Sequence, residues 1–431
     1  MSLEISRRRF LRSSAASGLA VAACHASAAG AEAESAAETV NIAVMGVNGR
    51  GAALSQGFVG QPNCNIAAVC DVDERALAKT VAMLQGKQQH KPQALGDFRK
   101  ALDDDAIDVL VVAAPNHWHG PATILGCKAG KHVYVEKPCC HNPREGELMI
   151  EAARKYKRVV TQGTQRRSWP TTVEAMGKLR DGVIGKLHYA RSWYNNRRGS
   201  IGKGNVAATP EWLDWNLWQG PAPRTEFLDN VVHYNWHWHW RWGNGELGNN
   251  GVHALDLARW GMGVDFPTRV ASGGGRWRWE DDQETPDTHI VTFDFPQLKT
   301  ITWEGLSWSP FGPGGERFGV SFHGDEGTML LLDTGYTIYD MQNKEVSVTK
   351  AAGNSDAVHQ ADFLACIKSG ERPHADVEIA HKSALLCHLG NIAQRTDRTL
   401  RCDATDGRIQ EDAAAMELWG REYENGWQPN V

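Results

Sequence analysis

Val40–Gly51 reads VNIAVMGVNGRG, a short apolar run of β-forming residues that stops at a cluster of glycines. A strand that runs through a glycine turn into a helix is how a doubly wound sheet offers backbone N–H groups to a pyrophosphate. Taken as G-x-G-x-x-G, the turn has Gly46, Asn48 and Gly51 at its three positions. Asparagine replaces the middle glycine, and Gly49 and Arg50 follow it. The turn alone is a weak signal. It gains weight from Asp71, which stands 25 residues after Gly46 at the tip of the second apolar run. A carboxylate there takes both ribose hydroxyls and repels a 2′-phosphate, so the pattern predicts a nicotinamide dinucleotide, NAD over NADP.

Outward from this stretch, β-rich runs alternate with helical ones. NIAAVCDVD (Asn65–Asp73), DVLVVAAP (Asp108–Pro115), HVYVEKP (His132–Pro138) and VVTQG (Val159–Gly163) read as strands. Between them Glu74–Leu84, Gly120–Ala129 and Pro143–Lys155 read as helices, the last with Asn142 as N-cap and Pro143 at the first helical position. Strands that alternate with helices in this way predict a parallel sheet covered on both faces.

Two short motifs fall at the carboxyl ends of strands, where ligands bind in such sheets. PNHWH contributes Pro115, Asn116 and His119, and EKP contributes Glu136 and Lys137. A lysine beside apolar residues and a cationic nicotinamide ring loses part of its proton affinity, and can then exchange a proton with a substrate hydroxyl. The plain alternative for Lys137 is a salt bridge with Glu136.

With these motifs in place, the chain from Val40 to about Asp403 resembles the Gfo/Idh/MocA family of oxidoreductases. The resemblance rests on the Gly46–Gly51 turn, PNHWH, KAGKHVYVEKP and GVHALDLARW. It implies an α/β fold: a Rossmann domain followed by an α/β domain with a large, open, mostly antiparallel sheet. It also implies action on sugars or polyols, with Lys137 as the catalytic lysine. The family's second element is Asp-x-x-x-His; the histidine is His253, but Asn249 stands where the aspartate belongs. An amide can orient the ring and adds no charge. The expected division is a signal and linker over 1–38, the NAD-binding domain over 39–163, the substrate domain over 164–403 and a C-terminal tail over 404–431.

Just before His253 lies WHWHWRWGNGELGNNGVH (Trp236–His253). As a strand it puts Trp236, Trp238, Trp240 and Trp242 on one face and His237, His239 and Arg241 on the other. Trp236, His237, His239 and Arg241 are therefore candidate substrate contacts, the indole stacking on a sugar ring and the polar groups meeting hydroxyls or a carboxylate. The alternative has the tryptophans packed beneath the sheet and the histidines solvated. His237 and His239 with His253 or Asp256 also have plausible metal-ligand geometry. Alternation alone generates His-x-His, however, and nothing in the resemblance calls for a metal, so none is expected.

The bulk properties agree. The 431 residues, 42% hydrophobic and 23% charged, suffice for about two domains, and a net charge of −5 gives no pull toward nucleic acid or anionic membrane. SRRRFLR (Ser6–Arg12) followed by the weakly apolar Ala15–Ala23 is a twin-arginine pattern, so the Tat export machinery is an expected partner and the periplasm the expected location. Cleavage after Ala28 is favoured over lipidation at Cys24. Eight cysteines lie beyond Cys24 without a C-x-x-C, which suggests reduced, buried thiols rather than a disulfide framework. No run beyond the signal is long enough to span a membrane.

The remaining β-rich runs, Lys186–Asn196, Thr288–Pro296, Lys299–Trp308 and Arg317–Leu332, read as strands of the second sheet. Ser309–Gly319 reads as a mobile loop that could close over a site. Ala357–Lys368 and Val377–Arg395 read as helices returning to the first domain, and the open sheet of the family implies a homo-oligomer.

The functional expectation is an exported NAD-dependent oxidoreductase acting on a carbohydrate or polyol. Lys137 relays the hydroxyl proton, His253 positions or shares it, and Asn116 and His119 line the nicotinamide end. Because the periplasm offers no free NAD pool, the cofactor is expected to stay bound. The resemblance also extends to exported NAD-dependent glycosidases that oxidise their sugar transiently. Those do not generally keep the EKP lysine, which places the dehydrogenase first. A non-catalytic sugar-binding protein with the same fold is a third reading.

Overall fold

The computed structural model describes residues 39–431; the expected export signal and linker, with the expected cleavage point at Ala28 and Cys24, lie outside them. Strand β1 (Val40–Met45) is almost wholly buried because it has neighbours on both edges and helices over both faces. It pairs in parallel with β2 (Cys64–Cys70) and β4 (Val109–Val112). With β3 (Gln93–Leu95), β5 (His132–Val135) and β6 (Val160–Gln162) it forms a six-stranded parallel sheet of order β3-β2-β1-β4-β5-β6. The order reverses between β1 and β4, and a crevice opens there at the carboxyl ends.

The helices follow their capping chemistry. α1 (Arg50–Val59) leaves the glycine turn, and α2 (Glu74–Leu84) starts where the Asp73 side chain accepts the Arg75 N–H. After the one-turn α3 (Arg99–Leu102), α4 (Asn116–Lys128) begins four residues earlier than the sequence suggests, so PNHWH forms its first turn. α5 (Pro143–Lys155) has the expected cap, with Asn142 Oδ1 accepting the Glu145 N–H at 3.0 Å.

α6 (Pro170–Arg180) leads into the second sheet, built from β7 (Leu187–Asn195), β8 (Arg269–Gly275), β9 (Thr288–Phe295), β10 (Lys299–Leu306), β11 (Phe318–Gly324), β12 (Thr328–Leu332), β13 (Gly335–Tyr339), β14 (Glu345–Lys350) and β15 (Leu400–Arg401). Its order is β14-β13-β12-β11-β7-β10-β9-β8-β15, antiparallel throughout except for the parallel pair of β7 and β10. Arg317–Leu332, read as one β-rich run, is a hairpin of two strands. Trp303, Phe293 and Phe322 point from this sheet into a core shared with α8 (Val252–Met262).

Between β7 and α8, residues 196–246 contain no strand of either sheet, only α7 (Trp215–Gln219) and a 3₁₀ turn at Asn235–Trp238. The Trp/His alternation is therefore a turn, which corrects the strand expectation. Local bonds replace a ladder: His239 N–H donates to Trp236 O at 3.3 Å and Gly243 N–H to His239 O at 2.8 Å. Trp236 and Trp242 are held instead in a small separate core with Trp215 and Trp218.

Helices α9 (Asp356–Ser369) and α10 (Val377–Thr396) return to pack on α1 and α5, as expected. A last short helix, α11 (Ala413–Met416), precedes the tail, where Trp427 meets Trp118 edge-on at 5.0 Å. The eight cysteines of the described residues are free, seven of them buried. No helix among the described residues is long and apolar enough to cross a membrane.

Candidate active site

A cleft of about 630 Å³ follows the crevice from Asp71, past the glycine turn, to Lys137 and the first turn of α8. Its floor depends on two glycines. Gly46 has φ +83°, and a Cβ there would sit 2.6 Å from the Ala114 nitrogen; a Cβ on Gly51 would sit 2.0 Å from the Gly46 oxygen. Gly51 thus packs behind the turn, whereas Gly46, Asn48, Gly49 and Arg50 line the cleft, with open space beside Gly49. Asp71 is fixed at the far end. Its carboxylate accepts the Val47 N–H at 2.7 Å and the Asp73 N–H at 3.0 Å. Burial raises its pKa, against the pull of those amides.

Pro115, Asn116 and His119 line the same wall. Asn116 Nδ2 donates to Asn244 Oδ1 at 3.0 Å. The His119 ring bridges two strand ends, Nδ1 lying 2.6 Å from the Pro138 oxygen and Nε2 2.8 Å from the Ala114 oxygen. Burial lowers its proton affinity.

Glu136 and Lys137 do not share a side-chain salt bridge. Glu136 Oε1 accepts from Arg50 Nε at 2.8 Å, and Arg50 Nη1 reaches Asp356 at 2.5 Å. Burial pushes the Glu136 carboxyl up, but Arg50 and then Lys137 outweigh it and hold the pKa below the usual value. Lys137 Nζ donates instead to the backbone oxygen and Oδ1 of Asn249, each at 2.9 Å. Burial lowers the lysine's pKa, opposed by Glu136 and Glu246.

Asn249 sits in a π-helical turn, Leu247–Gly251, that feeds into α8. Its amide serves Lys137 and, at 3.5 Å, Glu246, not the histidine one turn on. His253 also lines the cleft, with Nδ1 lacking a hydrogen-bond partner. Burial, then the charges of Arg166, Lys137 and Arg50, drive its pKa far down, so the ring is neutral.

Of the four candidate substrate contacts, Trp236 and His237 line the cleft and stack on one another at 3.6 Å. His239 and Arg241 do not line it, because the turn aims them elsewhere. His239 is buried near Glu284, and Arg241 Nη1 donates to Pro223 O at 3.1 Å. The loop Ser309–Gly319 does not line the cleft either.

Sequence reasoning missed several residues that do. Gln165, just past β6, has a buried Oε1 without a partner; the carboxyl-edge rule applied to β6 would have found it. Tyr194, Asn196 and Arg198 come from the end of β7. Arg198 is paired with the buried Glu246, 48 residues away, and that pairing has no local signature.

The segment 196–246 also roofs the crevice beside Asp71. His233 Nε2 lies 2.8 Å from Asp73 Oδ2, Arg75 lies 3.3 Å over the Trp212 ring, and Trp218 lines the cleft.

Compared with known proteins, residues 40–164 match an oxidoreductase family model with an NAD-binding Rossmann fold, and residues 212–413 match that family's C-terminal α/β domain. The chain belongs to the Gfo/Idh/MocA oxidoreductase family. A glycosyl hydrolase family 109 protein of Saccharopolyspora erythraea is 28% identical over 208 residues, 44% of this chain and 45% of that protein. Levoglucosan dehydrogenase of Pseudarthrobacter phenanthrenivorans is 26% identical over 167 residues, 39% of this chain and 36% of that protein. The chain thus spans less than half the length of these curated relatives. Among solved structures, levoglucosan dehydrogenase in complex with NADH and L-sorbose has a TM-score of 0.69 at 16% identity, covering 84% of this chain and 99% of that one. An aldose-aldose oxidoreductase from Caulobacter crescentus complexed with glycerol has a TM-score of 0.65 at 18% identity, with the same coverage. These likenesses show the fold.

NAD is the cofactor of this family member, and the residues fit it. The open space beside Gly49 would leave room for a pyrophosphate to approach the backbone of the turn, and Asp71 stands where ribose hydroxyls would need an acceptor. The unpartnered Gln165 Oε1 supplies an acceptor at the Lys137 end.

Proposed function

We propose that the protein is an exported, NAD-dependent oxidoreductase that acts on a CH–OH group of a sugar or polyol and keeps its cofactor bound between turnovers. The observation that carries this reading is Lys137, held by Asn249 in a cleft that joins the dinucleotide turn to a wall of hydroxyl-binding groups. When bound, NAD supplies the acceptor for hydride from the carbinol carbon. Lys137 takes the hydroxyl proton, a role worth about a hundred- to ten-thousand-fold in rate.

The wall suits a polyhydroxylated substrate. The Tyr194 hydroxyl accepts from Asn196 Nδ2 at 3.0 Å and keeps its own hydrogen to donate. His237 Nδ1 lies 2.6 Å from the Tyr234 carbonyl, which fixes its N–H there and leaves Nε2 as an acceptor. His253, neutral, positions or shares the proton. Retention of the cofactor is supported by the roof of residues 196–246, and export by SRRRFLR and the Tat machinery it addresses. The names of the relatives, levoglucosan dehydrogenase above all, favour a carbohydrate. A homo-oligomer formed through the open face of the nine-stranded sheet belongs to the same reading.

The test is to purify the protein without added nucleotide, release and identify any bound cofactor by mass, and follow the nicotinamide absorbance as sugars are added. Stoichiometric NAD reduced by a sugar supports the reading, and a protein that never takes up NAD overturns it.

One observation favours a second reading, a glycoside hydrolase with transient sugar oxidation. His237 is a second neutral base in the cleft, close enough to Lys137 for that charge to lower its pKa further. Aglycone release without net NADH would establish it.

A further inference from the structure

Large apolar side chains stand singly on the surface of most proteins and need no function. Among those exposed in the described residues, Trp277, Leu298 and Phe311 included, Tyr234 alone lines the cleft. It precedes the 3₁₀ turn Asn235–Trp238 and is 50% exposed, so half of the residue is left open at the edge of the substrate wall.

The ring is also fixed. Its hydroxyl accepts from Arg198 Nη1 at 2.9 Å. Arg198 is anchored in turn, its Nη2 donating to the buried Glu246 at 3.1 Å and its backbone N–H to Ser307 O at 2.7 Å. At the backbone end, the Tyr234 carbonyl accepts from His237 Nδ1 at 2.6 Å. The His237 ring lies 4.7 Å from the tyrosine ring, and Trp238 meets it edge-on at 6.2 Å. An exposed side chain tied at both ends has already lost the rotamer freedom that a ligand would otherwise have to freeze out.

His237 also feels the charge of Lys137. Lys137, His237 and Tyr234 therefore run in series from the dinucleotide end of the cleft to its open end. The groups around Tyr234 are polar. Arg198, Asn196 two residues before it, and Asn250, which shares Glu246 with Arg198, all line the cleft. A pyranose suits both features, because its C–H hydrogens present an apolar face to an aromatic ring while its equatorial hydroxyls meet donors and acceptors at the rim. An aryl group would match the ring and leave the rim without partners.

We propose that Tyr234 is the platform of a second sugar subsite, so that the substrate is a glycoside of at least two sugar rings, one oxidised beside Lys137 and the next stacked on Tyr234. The inference deepens the oxidoreductase reading and rests on it.

The test begins with the full, NAD-loaded protein on a glycan array that carries monosaccharides and oligosaccharides of the common linkages. The best-bound oligosaccharide and its terminal monosaccharide are then titrated in solution. Tryptophan fluorescence reads binding and the nicotinamide absorbance of the same sample reads oxidation, so that failure of the redox reading shows separately. The oligosaccharide should bind about threefold to tenfold more tightly than its monosaccharide. Tyr234→Leu, which keeps bulk and loses the flat face, should remove most of that ratio. Tyr234→Phe, which keeps the face and loses only the hydroxyl, should hold it within about twofold, and it carries the test with the parent if the leucine variant does not fold. An array on which no oligosaccharide exceeds its own monosaccharide, or a ratio that survives Tyr234→Leu, overturns the proposal. A phenyl glycoside that binds as tightly as the oligosaccharide also overturns it, in favour of an apolar aglycone site. Chain-length-dependent binding with no change in nicotinamide absorbance would support the subsite and count against the oxidoreductase reading instead.

Discussion

Arg50 Nε donates to Glu136 Oε1 at 2.8 Å, and this ion pair claims the carboxylate that an adjacent glutamate and lysine would otherwise share. The consequence falls on Lys137. Its hydrogen-bonding partners are neutral, it lines the cleft, and its proton affinity is lowered by burial. An arginine in the glycine turn therefore sets the surroundings of a lysine two strands away.

If Lys137 moves the hydroxyl proton, Lys137→Met should lower turnover by about a hundred- to ten-thousand-fold. Cofactor binding should survive, because the turn and Asp71 are untouched. Steady-state kinetics together with the NAD content of the purified variant check both halves, and turnover within a few-fold of the parent would remove Lys137 from the mechanism.

The glycine turn gives a separate test. Gly46→Ala would place a Cβ 2.6 Å from the Ala114 nitrogen at a φ of +83°, and Gly51→Ala would place one 2.0 Å from the Gly46 oxygen. Both atoms met are backbone and cannot swing away. Each variant should lose about 1–3 kcal/mol of stability and most of its NAD affinity. Gly49→Ala, which meets nothing within 4 Å, should keep its stability and lose affinity alone if the open space beside it is where the pyrophosphate lies. Thermal melts and NAD titration of the three variants distinguish these outcomes.

How far the sequence reached is seen in the same residues. Val40–Met45, the glycine turn, and helices Glu74–Leu84 and Pro143–Lys155 were legible because each depends on local periodicity and a cap. The Trp236–Trp242 alternation misled for the opposite reason. Its tryptophans answer to Trp215 and Trp218, some twenty residues earlier, and a period of two cannot report a distant partner. Arg198 was invisible on the same ground, since its meaning lies in Glu246. Asn249 was legible as a departure from Asp, but not as the acceptor for Lys137, which depends on where α8 meets the end of β5.

The buried histidines fix how stability depends on pH. Burial takes His117, His237, His289 and His388 each down to about 3. Between the ordinary histidine value of about 6.5 and that range, the unfolded chain binds protons that the folded one refuses. Stability should therefore fall as pH drops below about 6.5. Glu145 opposes the trend, because burial raises it to about 7. Its protonated form stabilises the fold fully below the unfolded carboxyl value of about 4.3, and that benefit, on the order of 3 kcal/mol, is lost as pH rises through 7. Thermal midpoints of the parent and Glu145→Gln across this range should diverge steadily, the parent losing ground as pH rises. Parallel curves would mean that Glu145 titrates normally.

The roof over the crevice can be lifted without touching Lys137 or the glycine turn. Gly220, just after α7, has φ +43°, and a Cβ there would sit 1.9 Å from the Trp118 ring. Trp118 is itself wedged between Phe98, at 5.5 Å, and Trp427, at 5.0 Å, so it has little room to yield. Gly220→Ala should displace the segment that carries Trp218 and His233, two residues of the cleft wall. If that segment retains the cofactor, NAD should dissociate at least tenfold faster, equivalent to about 1.4 kcal/mol of binding free energy if the association rate is unchanged. The hydride step, measured in a single turnover with NAD supplied in excess, should change far less. Stopped-flow displacement of bound NAD measures the first quantity directly. An unchanged dissociation rate in a variant whose roof has moved would assign cofactor retention to the Rossmann domain alone.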